Sequence, residues 1–438
     1  MSLAAQLPKG GTPVYERMRR LWILAIALSV ALTGCAPPAP VVQAAELISE
    51  KPRLSPDSAD HARIAELVQG NTRFALDLYR ALFSSEDNLF ASPYSISLAL
   101  AMAYAGARGD TEAEMAPALH FPAQALLHPA FNGLDQALRS RGQNVKEGQR
   151  FRLNIANAAW GQQGFSFQNA FLDTLAQFYA SGLRLVDFQR AAEAARQTIN
   201  RWVEQQTEDK IKDLLPPGSL DALTRLVLTN AIYFNAAWQH PFQAQATQDG
   251  AFHLLDGGQV TVPMMSQSER LGYTSGAGYR AVELPYVGGE MSMLIILPEA
   301  GTFAEWAQGL DAGALTAIVN GIEYQQVQLS MPRFTYASSF QLKDALQELG
   351  MGQAFSAAAD FSGMTGKPDL FIDDVYHKAF VSVDEEGTEA AAATAVVMQL
   401  SAMPAEPVVV NVDRPFVFLI RDVATGAVLF LGHVVNPA

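Results

Sequence analysis

The 438-residue chain contains one cysteine, Cys35, which excludes a disulfide framework and any zinc site built on two or more thiolates. Its seven histidines include no His-Glu-x-x-His pair, so no metal is implied. No Gly-x-Ser-x-Gly elbow and no phosphate-binding P-loop occur. Basic charge is also short: 30 Lys and Arg stand against 44 Asp and Glu, a net of −14. Nucleic-acid binders need basic faces to displace phosphate counterions, and this balance argues against them and against a glycosaminoglycan cofactor. What is present is apolar: 49% hydrophobic against 17% charged residues, enough to bury a large core and too hydrophobic for a disordered chain.

The longest apolar run, Leu21 to Leu32, is shorter than the ~20 residues a membrane-spanning helix needs. Arg17, Arg19 and Arg20 precede it and Thr33-Gly34-Cys35 follow, the order of a secretory signal. Leu32-Thr33-Gly34-Cys35 resembles a bacterial lipobox, in which the cysteine is lipidated. Residues 1–35 are therefore expected to be a signal with Cys35 as lipid anchor, Met18 being a better start than Met1. The protein is expected to be exported, as an envelope lipoprotein or an extracellular protein, with no membrane contact beyond the anchor. Ala36-Pro37-Pro38-Ala39-Pro40, Pro52 and Pro56 make residues 36–60 a proline-rich tether, with the folded domain over 61–438 beginning near His61.

No repeat or second linker interrupts that domain. Apolar spacing predicts helices over Ile64–Leu82, Ser95–Ala105 and Ala191–Leu215. Thr111-Glu112-Ala113-Glu114 reads as a capping box opening another helix. Strands are predicted over Ala281–Tyr286, Met291–Leu297, Val327–Met331, Val408–Val412, Phe416–Ile420 and Val428–Val434. Helices first and strands later indicate α+β.

Several motifs fail on context. Gly276-Ala277-Gly278-Tyr279-Arg280-Ala281 resembles a dinucleotide loop but runs into a strand instead of opening a helix, and reads as a turn. Arg108-Gly109-Asp110 reads as a turn between helices. The five basic residues from Arg139 to Arg152 read as a solvated loop in preference to a polyanion patch. Asp369, Asp373 and Asp374 lack metal-ligand spacing. No catalytic residue and no cofactor emerges.

Residues 384–415 are the informative stretch. Val381–Asp384 reads as a strand, and Glu385-Glu386-Gly387-Thr388-Glu389 and the four alanines Ala390, Ala391, Ala392 and Ala393 follow. These residues are too small to anchor a core. As a strand, alternate positions Thr388, Ala390, Ala392, Thr394, Val396 and Met398 share one face. Pattern alone leaves helix, loop and strand open.

Glu385 through Ala393 closely resembles the hinge of inhibitory serpins, and Asp413-Arg414-Pro415-Phe416 resembles that family's C-terminal signature. Asn88-Leu89-Phe90-Ala91-Ser92-Pro93-Tyr94-Ser95-Ile96 is similar to the shutter segment. Leu228-Thr229-Asn230-Ala231-Ile232-Tyr233-Phe234 through Trp238 is similar to the strand leading into the breach. Pro263-Met264-Met265, Tyr376-His377-Lys378-Ala379 and Val434-Val435-Asn436-Pro437 add further landmarks in order.

The resemblance implies a serpin fold, a large mixed sheet with smaller sheets, about eight or nine helices and an exposed reactive loop over about 385–407. It implies a monomeric suicide inhibitor of serine proteases, with cysteine proteases as a second target class. A protease cleaves the loop, and the freed hinge inserts into the main sheet before the acyl-enzyme ester is hydrolysed. Ser92, Ser95, Asn230 and His377 map to the shutter and Trp238 to the breach, with Gly387 supplying backbone angles a side chain would oppose. The family's spacing places the scissile bond at Ser401-Ala402. A hinge one residue shorter places it at Leu400-Ser401, where Leu400 suits elastase-, chymotrypsin- or subtilisin-like pockets. A non-inhibitory serpin, binding or carrying a ligand, is the alternative, but such members break the hinge with bulky or charged residues and this hinge is unbroken.

Overall fold

Runs of buried apolar residues form the strands at the centre of this computed structural model, which describes residues 44–57, 60–146, 150–388 and 406–438. Six longer helices occupy the first half: α1 (Asp60–Leu82), α2 (Pro93–Tyr104), α3 (Gly109–Ala118), α4 (Gln124–Arg139), α5 (Asn169–Tyr179) and α6 (Phe188–Gln206). Four shorter ones follow at Phe303–Gly309, Ala312–Asn320, Lys343–Glu348 and Ser362–Thr365. The strands are β1 (Ala45–Leu47), β2 (Leu89–Ala91), β3 (Phe151–Gln162), β4 (Leu183–Val186), β5 (Leu226–Ala237), β6 (Gln248–His253), β7 (Gln259–Gly276), β8 (Tyr279–Pro285) and β9 (Met291–Pro298), then β10 (Glu323–Pro332), β11 (Phe334–Gln341), β12 (Asp374–Val383), β13 (Gly387–Thr388), β14 (Val408–Asn411), β15 (Phe416–Asp422) and β16 (Val428–Val434). The α+β expectation holds.

One sheet has seven strands in the order β1-β4-β3-β5-β13-β12-β11. The other has the order β14-β10-β7-β8-β9-β15-β16-β2, with β6 on β7. Every residue of β9, β15 and β16 is buried, as continuous apolar runs require. Helix α2 is buried on all sides, which fits a sequence that is apolar but for Ser95 and Ser97, whose hydroxyls are hydrogen-bonded. It starts at Pro93 in the first helical position, with the Ser92 hydroxyl accepting from Ser95 N. The α2 helix is thereby fixed beneath the seven-stranded sheet, against β3 and β5.

Several expectations change. The helix expected to reach Leu215 stops at Gln206. Glu208, Asp209 and Asp213 take left-handed backbone angles, yet Ile211, Leu214 and Leu215 stay in the core, so the apolar spacing outlasted the helix. Thr111 and Glu114 form no capping box: α3 begins at Gly109, Thr111 Oγ1 accepts from Asp360 N at 2.8 Å and Glu114 from Gln353 N at 2.7 Å. Strands are not confined to the later part, since β3, β4 and β5 precede residue 238. The basic stretch is not a plain solvated loop, because Arg139 pairs with Asp135, Arg152 with Glu208, and Arg141 with the fully buried Asp422 at 2.6 Å.

Residues 44–57, expected to belong to the tether, pack on the domain. β1 pairs antiparallel with β4 at the edge of the seven-stranded sheet. Arg53 donates to Asn132 Oδ1 at 2.8 Å and to Asp135 Oδ2 at 2.7 Å, and Lys51 meets Asp173. The folded unit includes residues 44–57, whose prolines mark an extended strap rather than a free linker. The Gly276–Ala281 turn is as expected, a hairpin through Ala277 and Gly278 with Gly278 at φ +79°.

Candidate functional site

The centre of the seven-stranded sheet contains a seam. β5 and β12 run parallel and pair over six positions, from Val227 opposite Asp374 to Ile232 opposite Ala379. Beyond that point they part, and the two residues of β13 lie between them, antiparallel to both. Gly387 stands opposite Ala237, while Thr388 stands opposite Ala236 and Val383. The start of the predicted hinge is thus already a strand in the sheet.

Residues assigned to the shutter meet at the paired end of the seam. Asn230 and His377 are register partners across it, and both are fully buried. His377 Nε2 accepts from Ser92 N at 3.0 Å, which leaves its proton on Nδ1 to donate to Asn230 Oδ1 at 2.5 Å. The ring is therefore neutral, and burial lowers its pKa to about 3. Asn230 Nδ2 donates to Ser95 Oγ at 2.8 Å and to Asn157 Oδ1 at 2.9 Å. Ser95 Oγ donates to Asn157 Oδ1, and Ser92 Oγ donates to Leu429 O at 2.7 Å. One polar chain thus ties β12 to β5, to β3 and to the start of α2.

At the open end, Trp238 and its neighbours hold the hinge. Trp238 N donates to Glu386 O at 2.7 Å and its Nε1 to Asp384 O at 3.0 Å. Its ring stacks on Tyr286 at 4.7 Å, and the Tyr286 hydroxyl lies 2.7 Å from Thr388 Oγ1. Phe242 N donates to Glu385 O at 2.8 Å. The Glu385 carboxylate accepts from Arg333 Nε at 2.9 Å, and Arg333 Nη2 and Thr247 Oγ1 reach the same oxygen. Burial alone would push Glu385 up, but the hydrogen bonds from Arg333 and Thr247 hold its carboxyl below the usual value. Asp384 Oδ1 accepts from Glu386 N and Gly387 N, closing the turn between β12 and β13.

Gly387 is required for a different reason from the one expected. It is not among the described glycines with positive φ. A Cβ on it would lie 2.1 Å from Ala236 O and 2.7 Å from Ala237 Cα, so close backbone approach excludes a side chain.

The structure therefore brings together Ser92, Ser95, Asn230 and His377 in one cluster and Trp238, Glu385, Glu386, Gly387 and Thr388 in another. Glu389, Ala390, Ala391, Ala392, Ala393, Leu400, Ser401, Ala402 and Cys35 lie outside the described residues. Sequence reading missed Asn157, Tyr286, Thr247 and Arg333. Each joins these clusters from a distant strand or turn, and no local pattern signals that. Among the described residues no group of three or more His, Cys, Asp or Glu converges closely enough to hold a metal ion.

A family model described as Serpin (serine protease inhibitor) matches residues 69–437. An uncharacterized serpin-like protein of Thermococcus kodakarensis is 40% identical over 433 residues, covering 96% of this chain and 99% of its own. The leukocyte elastase inhibitor of Sus scrofa is 42% identical over 384 residues, covering 85% of this chain and all of its own. Among solved structures, the crystal structure of a thermophilic serpin, tengpin, in the native state superposes with a TM-score of 0.78 at 27% identity, over 90% of this chain and all of that one.

Proposed function

The chain belongs to the serpin family, and on that premise we propose that it is a suicide inhibitor of serine proteases that traps its target by inserting its own cleaved loop into the β5–β12 seam. The observation that carries this reading is β13: two hinge residues already occupy the seam in the orientation a full inserted strand requires. A serine protease attacking the bait bond forms an ester to its catalytic hydroxyl and releases the new amino terminus. The freed segment then extends β13 down the seam, carrying the tethered protease with it before water resolves the ester.

The energetics favour insertion. A parallel contact of six register pairs is replaced by an antiparallel strand that pairs on both sides, and antiparallel ladders are the slightly more stable kind. At ~1 kcal/mol net per added bond, together with burial of small inward side chains, the surplus is on the order of 10 kcal/mol. A protease domain is itself stable by only ~5–15 kcal/mol, so such a surplus suffices to disorder it. The intact form is then kinetically trapped. The His377–Asn230 bond spans the seam and must break before a strand can enter there, which makes the shutter cluster the latch.

Target preference follows from the bait residues. Leu400 and Ser401 suit elastase-, chymotrypsin- or subtilisin-like pockets, and no Arg or Lys lies between Glu389 and Pro407 for a trypsin-like one. The 42% identity to a leukocyte elastase inhibitor supports the same preference. On sequence pattern alone we also propose export, with Cys35 as lipid anchor; Cys35→Ser should release the protein from the membrane fraction. The inhibitory reading is tested by mixing the chain with elastase, subtilisin and trypsin. A complex that survives a denaturing gel with the first two, and a released peptide beginning at Ser401 or Ala402, are expected. Clean cleavage with no adduct would leave a substrate or a carrier.

A further inference from the structure

The strap ahead of α1 is fastened at both of its ends. At one end Ala45, Glu46 and Leu47 pair with Leu185, Arg184 and Leu183 of β4. Gly182 permits this approach, since a Cβ there would lie 2.8 Å from Leu47 O and 3.0 Å from Ile48 Cβ. The chain then crosses α5, where Ser49 Oγ donates to Asp173 Oδ1 at 2.5 Å and Leu54 N to Gln177 O at 2.9 Å. At the other end Arg53 donates to Asn132 and Asp135 of α4, and Asn132 Nδ2 and Gln136 Nε2 both donate to Leu54 O at 3.0 Å. The Arg53 and Asp135 side chains are only 20% and 4% exposed, so salt screens the pair little.

These two ends lie on parts that strand entry separates. The strands β1, β4, β3 and β5 form one side of the seam, with β12 and β11 on the other. Phe90 N of β2 donates to Ser338 Oγ of β11 at 3.1 Å, which keeps the β12–β11 side with the second sheet. Helix α4 is fixed to that sheet as well. Arg141, just past its end, pairs with buried Asp422 of β15, and Gly142 N donates to Glu290 Oε2 at 2.9 Å. A strand added between β5 and β12 widens their separation by about 4.8 Å. A displacement of that size is beyond the reach of a hydrogen bond, so the strap must yield at one end.

We propose that the strap is a brake on sheet opening: the β1–β4 pairing and the Arg53–Asp135 bond hold the four-strand side of the seam to α4 and set the rate at which a strand enters. The brake rests on the opening seam of the inhibitory reading, yet opening is measurable without any protease.

Hydrogen exchange of the full chain reads it at the paired amides of Val227–Ile232 and Asp374–Ala379. Arg53→Gln removes the shielded ion pair, while Gly182→Val lifts β1 from β4, so the two variants act at opposite ends. Arg53→Gln should speed seam exchange about tenfold, the worth of a charge-assisted hydrogen bond. Gly182→Val should speed it several-fold, and in both variants the amides paired between β15 and β16 should exchange as in the unaltered chain. Unchanged seam exchange overturns the proposal. So does equal acceleration in the seam and in β15–β16, which is general loss of stability and not release of a brake. At saturating subtilisin the first-order rate of adduct formation should rise in both variants. An unchanged rate beside faster seam exchange overturns control of strand entry by the strap. No adduct from the unaltered chain overturns the inhibitory reading instead, and seam exchange then decides the brake by itself.

Discussion

Thr388 is where side-chain chemistry and strand entry meet most directly. It is 1% exposed, with its hydroxyl on Tyr286 and its backbone between Ala236 and Val383. A guanidinium there has no partner and no room, and an unpaired buried charge costs several kcal/mol. Thr388→Arg should turn the proposed inhibitor into a substrate, read on a denaturing gel as cleavage without adduct; persistent stable complex would contradict the insertion route. His377 carries the second prediction at this scale. Its pKa is lowered to about 3 by burial against an ordinary 6.5, so an opened or unfolded chain takes up a proton first. Stability is full above pH 6.5 and falls on acidification towards pH 3, by up to about 1.4 kcal/mol per pH unit. His128 and His433 are also lowered, each to about 4 by burial, and share the same window. The His377 share is therefore read as the difference in acid sensitivity of melting between the native chain and His377→Gln, which should melt with a shallower pH slope.

At the scale of elements, the hinge is a short strand held at its root. Glu385 is 8% exposed and Arg333 is its only cationic partner among the described residues, although Arg333 is itself 44% exposed. Arg333→Ala leaves the carboxylate with Thr247 alone and should lower the stability of the intact form by about 1–2 kcal/mol, measured by denaturant melting. Arg333→Lys should restore part of it. The elements legible in sequence were those with a strong period or a dense motif: α1 and α2 and the late strands β8, β9, β15 and β16. The first-half strands β3 and β5 were harder by pattern. Burial of β5 on both faces removes the alternation that marks a strand, β3 is buried throughout only from Ala158 onward, and Asn157 becomes meaningful only once β3 is paired with β5, where it faces Asn230 across 73 residues of chain. The overextended α6 fails for a related reason, since Ile211, Leu214 and Leu215 keep apolar spacing in the service of the core and not of a helix. The strap at 44–57 was hidden because a three-residue edge strand leaves almost no pattern and its prolines read as linker.

For the whole molecule, the seven-stranded sheet is incomplete by design of its register: six pairs close one end of the seam, two hinge residues occupy the other, and a polar latch bridges the closed part. Sequence similarity spans both ends of the seam, which is why the family and its α+β fold were readable before any packing was known. The central claim is that the intact chain is trapped above a more stable state reached by adding one strand. Melting the protein before and after a single proteolytic cut between Glu389 and Pro407 tests it most directly. A cut chain that keeps both fragments together and melts far above the intact one is the predicted result. Equal or lower heat resistance after the cut would contradict it.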